Sequence, residues 1–375
     1  MTTAVQTRIP FLDLKSQYLS ISGEVQDAIH AVLQSGHFVG GKWVEKFEEE
    51  FSSFAGVRHT VAVGNGTDAL QLALKAGGVA PGHEVILPAN TFFATAEAVS
   101  NIGATPVIVD VNPATFHLDN SLIESVITSK TRAIVPVHLY GRAMDLTEIE
   151  RLASVYGLQI IEDACQAHGV VYKGVPVGGS GRLTCFSFYP GKNLGAYGDG
   201  GAITTNDKEL AKTLRILRDH GSPAKYEHIV IGANSRLDAI QAAILSVKLR
   251  YLAEWNARRV RHAAALAQGL AGLEIVPPVI PPSGEHNFHL FVVRSRKRDL
   301  LQRFLRERGI DTGIHYPVPI HLTAAYQNLG YPSHGSFPVA ETLATEILSL
   351  PMYAELSDEQ MEYLLSALNE FFELN

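Results

Sequence analysis

Cysteine is nearly absent from this chain: there are two among 375 residues, Cys165 and Cys185. Both sit in apolar stretches, where a cysteine reads as a small buried hydrophobe rather than half of a disulfide or metal pair. So sparse a use of thiols fits a reducing compartment. Positive charge is not in excess either. The 31 Lys and Arg stand against 38 Asp and Glu, a net charge of -7, whereas nucleic-acid binders are usually basic. A local basic pocket can still hold an anionic substrate. No uninterrupted apolar run reaches the length of a membrane span. Residues 1–8 carry no basic region followed by an apolar run, so no signal peptide is expected. None of the 15 histidines forms a pair with convincing metal spacing, so no metal site is expected. These absences predict a cytoplasmic protein that binds neither membrane nor nucleic acid.

What is present is a composition of 46% hydrophobic and 18% charged residues, enough for a sizeable core. A chain of this length predicts two domains. Short apolar runs alternate with helical patterns over the first two-thirds. Val61–Val63, Glu84–Leu87, Pro106–Asp110, Ala133–Val137, Leu158–Asp163, Thr184–Phe188 and Gly201–Thr205 read as strands. Asp68–Ala76, Thr95–Ile102 and Leu146–Tyr156 read as helices. That alternation predicts an α/β fold with a mainly parallel mixed sheet, with ligands at the carboxyl ends of its strands. Ser235–Ala267 reads as one long helix bridging two domains. A proline-dense connector, Val276–Gly284, precedes a strand at His289–Val293 and a helix at Asp299–Arg308. The expected division is a large domain over 1–250 and a smaller C-terminal α+β domain over 251–375.

Three segments could carry chemistry. In Ser187-Phe188-Tyr189-Pro190-Gly191-Lys192-Asn193-Leu194-Gly195, one lysine stands among apolar and turn residues with no charged neighbour until Asp199. A lysine in an apolar pocket loses its charge readily and becomes a nucleophile able to form imines. From the loop alone, a snorkelling surface lysine is equally open. Glu162-Asp163-Ala164-Cys165-Gln166 ends a strand in acids. A buried acid needs a cationic partner, and a protonated pyridine nitrogen, as in pyridoxal phosphate (PLP), is one. An Asp capping a helix is the plainer alternative. Gly64-Asn65-Gly66-Thr67-Asp68 lies at a strand-to-helix junction, where small residues expose N–H groups to an anion. It is neither a P-loop nor a complete dinucleotide fingerprint, because Leu70 replaces the closing small residue. Together the three segments supply a phosphate cradle, a pyridinium partner and an imine lysine.

In this order the motifs resemble the nucleotide-sugar aminotransferases of the DegT–StrS type, within the fold-type I PLP enzymes. The resemblance runs from Ile9-Pro10-Phe11-Leu12-Asp13-Leu14 through Asn234-Ser235-Arg236-Leu237-Asp238 to His315-Tyr316-Pro317 and Ser349-Leu350-Pro351. It implies that Lys192 is the Schiff-base lysine and that Asp163 pairs with the pyridine nitrogen. Gln166 is implied at the cofactor's phenolic oxygen or ring face, Phe92 on the ring, and Gly66, Thr67 and Ser187 at the phosphate. Asn234 resembles the residue one subunit sends to the other's phosphate, which implies a homodimer with shared active sites. His315, Tyr316 and His321 resemble the edge of a sugar-nucleotide pocket. Arg236 and Lys225 are candidates for the diphosphate. Many relatives carry His where this chain has Tyr189, and the form with Tyr resembles the subgroup that aminates carbon 3 of dTDP-linked 3-keto-6-deoxyhexoses. The lysine is retained, whereas sugar dehydrases of the family carry His there. The expected donor is L-glutamate. The alternatives are a 4-keto sugar nucleotide, a UDP-3-keto sugar or cyclitol substrate, a PLP dehydratase, or a regulatory protein without turnover.

Overall fold

The computed structural model describes residues 8–282 and 284–374. Its strands are β1 His59–Val63, β2 Glu84–Pro88, β3 Thr105–Val109, β4 Thr131–Ile134, β5 Gln159–Asp163, β6 Val171–Tyr172, β7 Val175–Pro176, β8 Leu183–Ser187, β9 Gly201–Thr205, β10 Phe291–Arg294 and β11 Ile347–Leu350. Seven of them form one sheet in the order β1-β9-β8-β5-β4-β2-β3. From β3 to β8 every pairing is parallel. Only β9 runs against its neighbours, pairing antiparallel with β8 and β1. The sheet is therefore mixed and mainly parallel, as the alternating pattern predicts.

Helices cover it because their apolar residues fall on one side. Gly66–Ala76 buries Ala69, Leu70, Leu72, Ala73 and Leu74, and it joins Val61, Val85, Ile161 and Cys185 in the largest hydrophobic cluster. β9 is buried at all five positions, so it reads as a continuous apolar run rather than an alternating one. A second cluster surrounds the antiparallel β10–β11 pair, which the helices Leu252–Gly269, Arg298–Glu307 and Asp358–Leu374 pack against. Both clusters draw residues from either side of position 250. Ile9 sits in the second cluster, while Ile320, Tyr326 and Leu343 sit in the first.

The single helix expected over Ser235–Ala267 is instead two helices, Ala239–Leu249 and Leu252–Gly269. The turn between them tightens through Arg250 N–H to Val247 O and Tyr251 N–H to Lys248 O. Arg250 and the Tyr251 hydroxyl at this turn both bind Glu24 on the helix Leu14–Ser35. β4 also stops short of Val137. Pro136 has no N–H to give, although its carbonyl accepts from Asp163 N–H at 2.9 Å.

Candidate active site

The two acids at the end of β5 point opposite ways, as successive strand residues must. Glu162 is fully engaged by protein: His138 Nε2 lies 3.0 Å from Oε2, and Ser180 Oγ donates to Oε1 at 2.8 Å. Asp163 faces the other side. Its Oδ2 accepts from Thr95 Oγ1 at 2.8 Å and its Oδ1 from Cys165 N–H at 3.1 Å. Both donors are neutral, and no cation of the described residues forms an ion pair with this buried carboxylate. Burial without an ion-pair partner is costly, so the site suits a ligand that brings a cation to this carboxylate.

Lys192 follows β8 on a loop closed by backbone bonds. Lys192 N–H donates to Tyr189 O and Ala196 N–H to Phe188 O, each at 2.8 Å. Gly195 lets the loop close, because a Cβ there would stand 2.3 Å from Pro190 O. The helix Ala239–Leu249 grips the outgoing strand of the loop. Lys248 Nζ donates to Gly195 O, and Gln241 brackets both backbone groups of Tyr197. Burial pushes the Lys192 amine below the usual lysine range, while nearby Cys165 and Asp163 oppose the shift. A shift in this direction favours the neutral amine that nucleophilic attack on a carbonyl requires.

Between β1 and the helix Gly66–Ala76, Asn65 Oδ1 caps the helix by accepting from Asp68 N–H at 2.8 Å. The N–H groups of Gly66 and Thr67 have no partner among the described residues. A Cβ on Gly66 would approach Ser187 Cβ to 2.7 Å, so only glycine lets this helix start close on the Ser187 strand. Gly66, Thr67 and Ser187 line one cavity at a helix N-terminus, an arrangement suited to a phosphate.

These three pieces open onto one cavity of about 900 Å³. Of the residues expected at the site, Gly66, Thr67, Phe92, Asp163, Gln166, Ser187, Tyr189, Lys192, His315 and Tyr316 line it. Phe92 and Tyr316 pack with ring centroids 5.5 Å apart. Gln166 is held at both ends, accepting from Tyr140 N–H at 2.6 Å and donating to Tyr316 OH at 3.0 Å. Burial pushes the Tyr316 hydroxyl up, so it stays protonated. The unpaired carboxylate, the desolvated amine and the free N–H pair fit a phosphorylated pyridine carbonyl compound.

Three expected residues lie elsewhere, as does the diphosphate candidate Lys225. His321 is not at the pocket edge. It is fully buried, with Nε2 3.2 Å from Glu341 Oε1 and its ring against Phe337, so it supports the fold behind the cavity. Arg236 pairs with Asp219 at 2.7 Å and does not line its own chain's cavity. Asn234 and Lys225 are exposed on the segment before it, also away from that cavity. Conversely, Thr95, Asn193 and His289 bear on the site without having been singled out. Their polar partners are distant in sequence, so no local spacing marks them.

The family model of the DegT/DnrJ/EryC1/StrS aminotransferases matches residues 19–369. A dTDP-3-amino-3,4,6-trideoxy-alpha-D-glucose transaminase of Streptomyces venezuelae is 48% identical, with 100% of this chain and 99% of the relative covered. A pleiotropic regulatory protein of Geobacillus stearothermophilus is 46% identical over 97% of this chain and 98% of its own. The crystal structure of S. venezuelae DesV in complex with a ketimine intermediate superposes with a TM-score of 0.96 at 48% identity, covering 98% of this chain and 99% of that one. With the motifs, the sheet order and the cavity all in agreement over nearly its whole length, this chain belongs to the DegT/DnrJ/EryC1/StrS aminotransferase family.

Proposed function

We propose that this chain is a PLP-dependent aminotransferase that moves the amino group of L-glutamate to carbon 3 of a dTDP-linked 3-keto-6-deoxyhexose. The observation that carries this reading is the convergence of Lys192, Asp163 and the free N–H groups of Gly66 and Thr67 on one cavity. The relatives named above support the sugar and its nucleotide.

PLP, when bound, supplies the electron sink for the negative charge that forms beside the transferred nitrogen. Lys192 would hold the cofactor through Nζ. The same Nζ, when free, would be the base that carries the proton of the amino donor's Cα. Asp163 would keep the pyridine nitrogen protonated, held rigid by Thr95 and Cys165. Gly66, Thr67 and Ser187 would bind the phosphate, and Phe92 would cover the ring. Gln166 would sit beside the cofactor's phenolic oxygen. Tyr189, His315 and Tyr316 would form the sugar side of the cavity.

The site is completed across a homodimer. Supporting this, Asn234, Arg236 and Lys225 lie outside their own chain's cavity, on a segment that also exposes Tyr226, Ile229, Val230 and Ile231. There Asn234 would reach the other subunit's phosphate, and Arg236 and Lys225 would meet the nucleotide diphosphate. A cytoplasmic location fits the two free thiols. No helix of the described residues is long and apolar enough to cross a membrane. We divide the chain functionally at about residue 250 into the part that holds the cofactor and a smaller one that closes over it.

The purified protein is expected to be yellow, to bleach with L-glutamate, and to lose the colour in Lys192→Ala. A borohydride-reducible adduct that persists in Lys192→Ala would overturn the assignment of that residue. Amination of a dTDP-3-keto sugar in preference to 4-keto and UDP-3-keto sugars is the expected specificity. Preference for either of the latter overturns the choice of substrate.

A further inference from the structure

Asn193, the residue after Lys192, is buried at the centre of a network of side-chain amides. The direction of each amide follows from backbone carbonyls, which can only accept. His168 O accepts from Asn256 Nδ2 at 2.9 Å and from Asn287 Nδ2 at 3.0 Å. Asn256 therefore turns Oδ1 to Asn193, whose Nδ2 donates to it at 2.8 Å and to Asn287 O at 3.3 Å. Asn193 Oδ1 is left facing His289 Nδ1 at 3.1 Å. An amide oxygen cannot donate, so the proton of this bond belongs to His289. Asn287 Oδ1 holds the same residue from behind, accepting from His289 N–H at 2.9 Å. Gly141 makes room for it, since a Cβ there would stand 1.8 Å from Asn287 Oδ1.

With its proton on Nδ1, the neutral ring carries a bare lone pair on Nε2. That atom has no hydrogen bond among the described residues, and the ring lines the same cavity as Lys192. We propose that His289 is a positioning residue for Lys192: Asn193 fixes its tautomer so that Nε2 serves as a standing acceptor for the Lys192 amine. The charged and titratable groups around the ring are Lys192 on the loop, Arg259 on the helix Leu252–Gly269, His315 and His168. Burial first, then these neighbours, push His289 well below the usual histidine range. The ring is therefore suited to accept a hydrogen bond from the Lys192 amine without taking its proton. The proton that Lys192 removes from the substrate stays on Nζ for its return. The rate readout below rests on the aminotransferase reading; the tautomer does not.

Two substitutions separate the ring's two ends. His289→Asn keeps a donor near Nδ1 for Asn193 and removes Nε2. His289→Gln places a polar group near Nε2 and gives up the bond to Asn193. In full-length protein labelled with 15N at histidine, the His289 ring is expected to show the Nδ1–H tautomer across neutral pH. In the holoenzyme, His289→Asn is expected to keep its Tm but to slow the half-reaction with L-glutamate about tenfold. The acid limb of its pH profile should move to lower pH, because the Lys192 ammonium has lost an acceptor. His289→Gln is expected to lower Tm and keep more of the rate than His289→Asn. An Nε2–H tautomer, or His289→Asn with the rate and pH profile of the parent, would overturn the proposal. A holoenzyme inert to glutamate would overturn the aminotransferase reading instead, and the tautomer would still decide this one.

Discussion

Asp163 is buried against two neutral donors, Thr95 Oγ1 and Cys165 N–H, and that pair explains how a carboxylate stays aimed into the cavity without an ion pair. A hydrogen bond to a charged group is worth about 1.5–3 kcal/mol. Thr95→Val should therefore loosen Asp163 without deleting it. Expected is roughly a tenfold loss of kcat with weaker cofactor retention. Asp163→Asn should cost more, on the order of a hundredfold or greater, because an amide does not hold the ring proton. Steady-state assays with cofactor in excess distinguish the two, and a Thr95→Val enzyme as fast as the parent would remove Thr95 from the site. Neither Lys192 nor Asp163 could be read from its immediate neighbours alone; the combination of three segments and the resemblance singled them out, and both line one cavity. Thr95 was not singled out, because its partner lies 68 positions away. Asn193 and His289 meet across 96 positions. Cys165 shows the same limit from the other side. It lines the cavity, yet burial and then Asp163 push its thiol well up, so it remains the inert small residue its composition suggested.

At the scale of elements, the site depends on one helix that carries none of its chemistry. Ala239–Leu249 presents Gln241 and Lys248 two turns apart on one face, and both hold the backbone leaving the Lys192 loop. Lys248 is buried, with its amine 4.9 Å from the centre of the Tyr197 ring. Burial pushes it from 10.5 down to about 8, with Glu355 acting the other way. Between those values the unfolded chain binds the proton and the folded chain does not, so this residue's contribution to stability rises with pH across the window from about 8 to 10.5. Below it, the buried charge counts fully against folding. Urea midpoints of the parent chain should rise relative to Lys248→Met as pH climbs through that window, and parallel curves would show that Lys248 is not desolvated as described. The sequence pattern placed the sheet strands because apolar runs bounded by Gly and Pro are local. It missed the break at Arg250–Tyr251, whose side chains meet Glu24, more than two hundred residues away.

For the molecule as a whole, the proposed homodimer turns on the segment that carries Asn234. The segment that carries it is pinned at its base. Asp219 pairs with Arg236, His220 N–H donates to Ala233 O at 2.8 Å, and Gly221 lies so close to Val230 O that a Cβ would stand 1.7 Å from it. The loop held this way leaves Tyr226 84% and Ile231 92% exposed. Apolar side chains exposed together mark an interaction site, and the proposed second copy would cover them while receiving Asn234. Replacing Ile229 and Ile231 with Asp is expected to shift the protein to monomer in sedimentation equilibrium and to abolish turnover, although Lys192 and Asp163 remain in place. Mixing two inactive variants gives a sharper result. In a heterodimer of Lys192→Ala with Asn234→Ala, a site that takes Asn234 from the opposite subunit is intact once and doubly altered once. A site that takes both residues from one chain is never intact. Random reassociation should therefore restore about a quarter of parental activity if the sites are shared, and none if Asn234 serves its own chain.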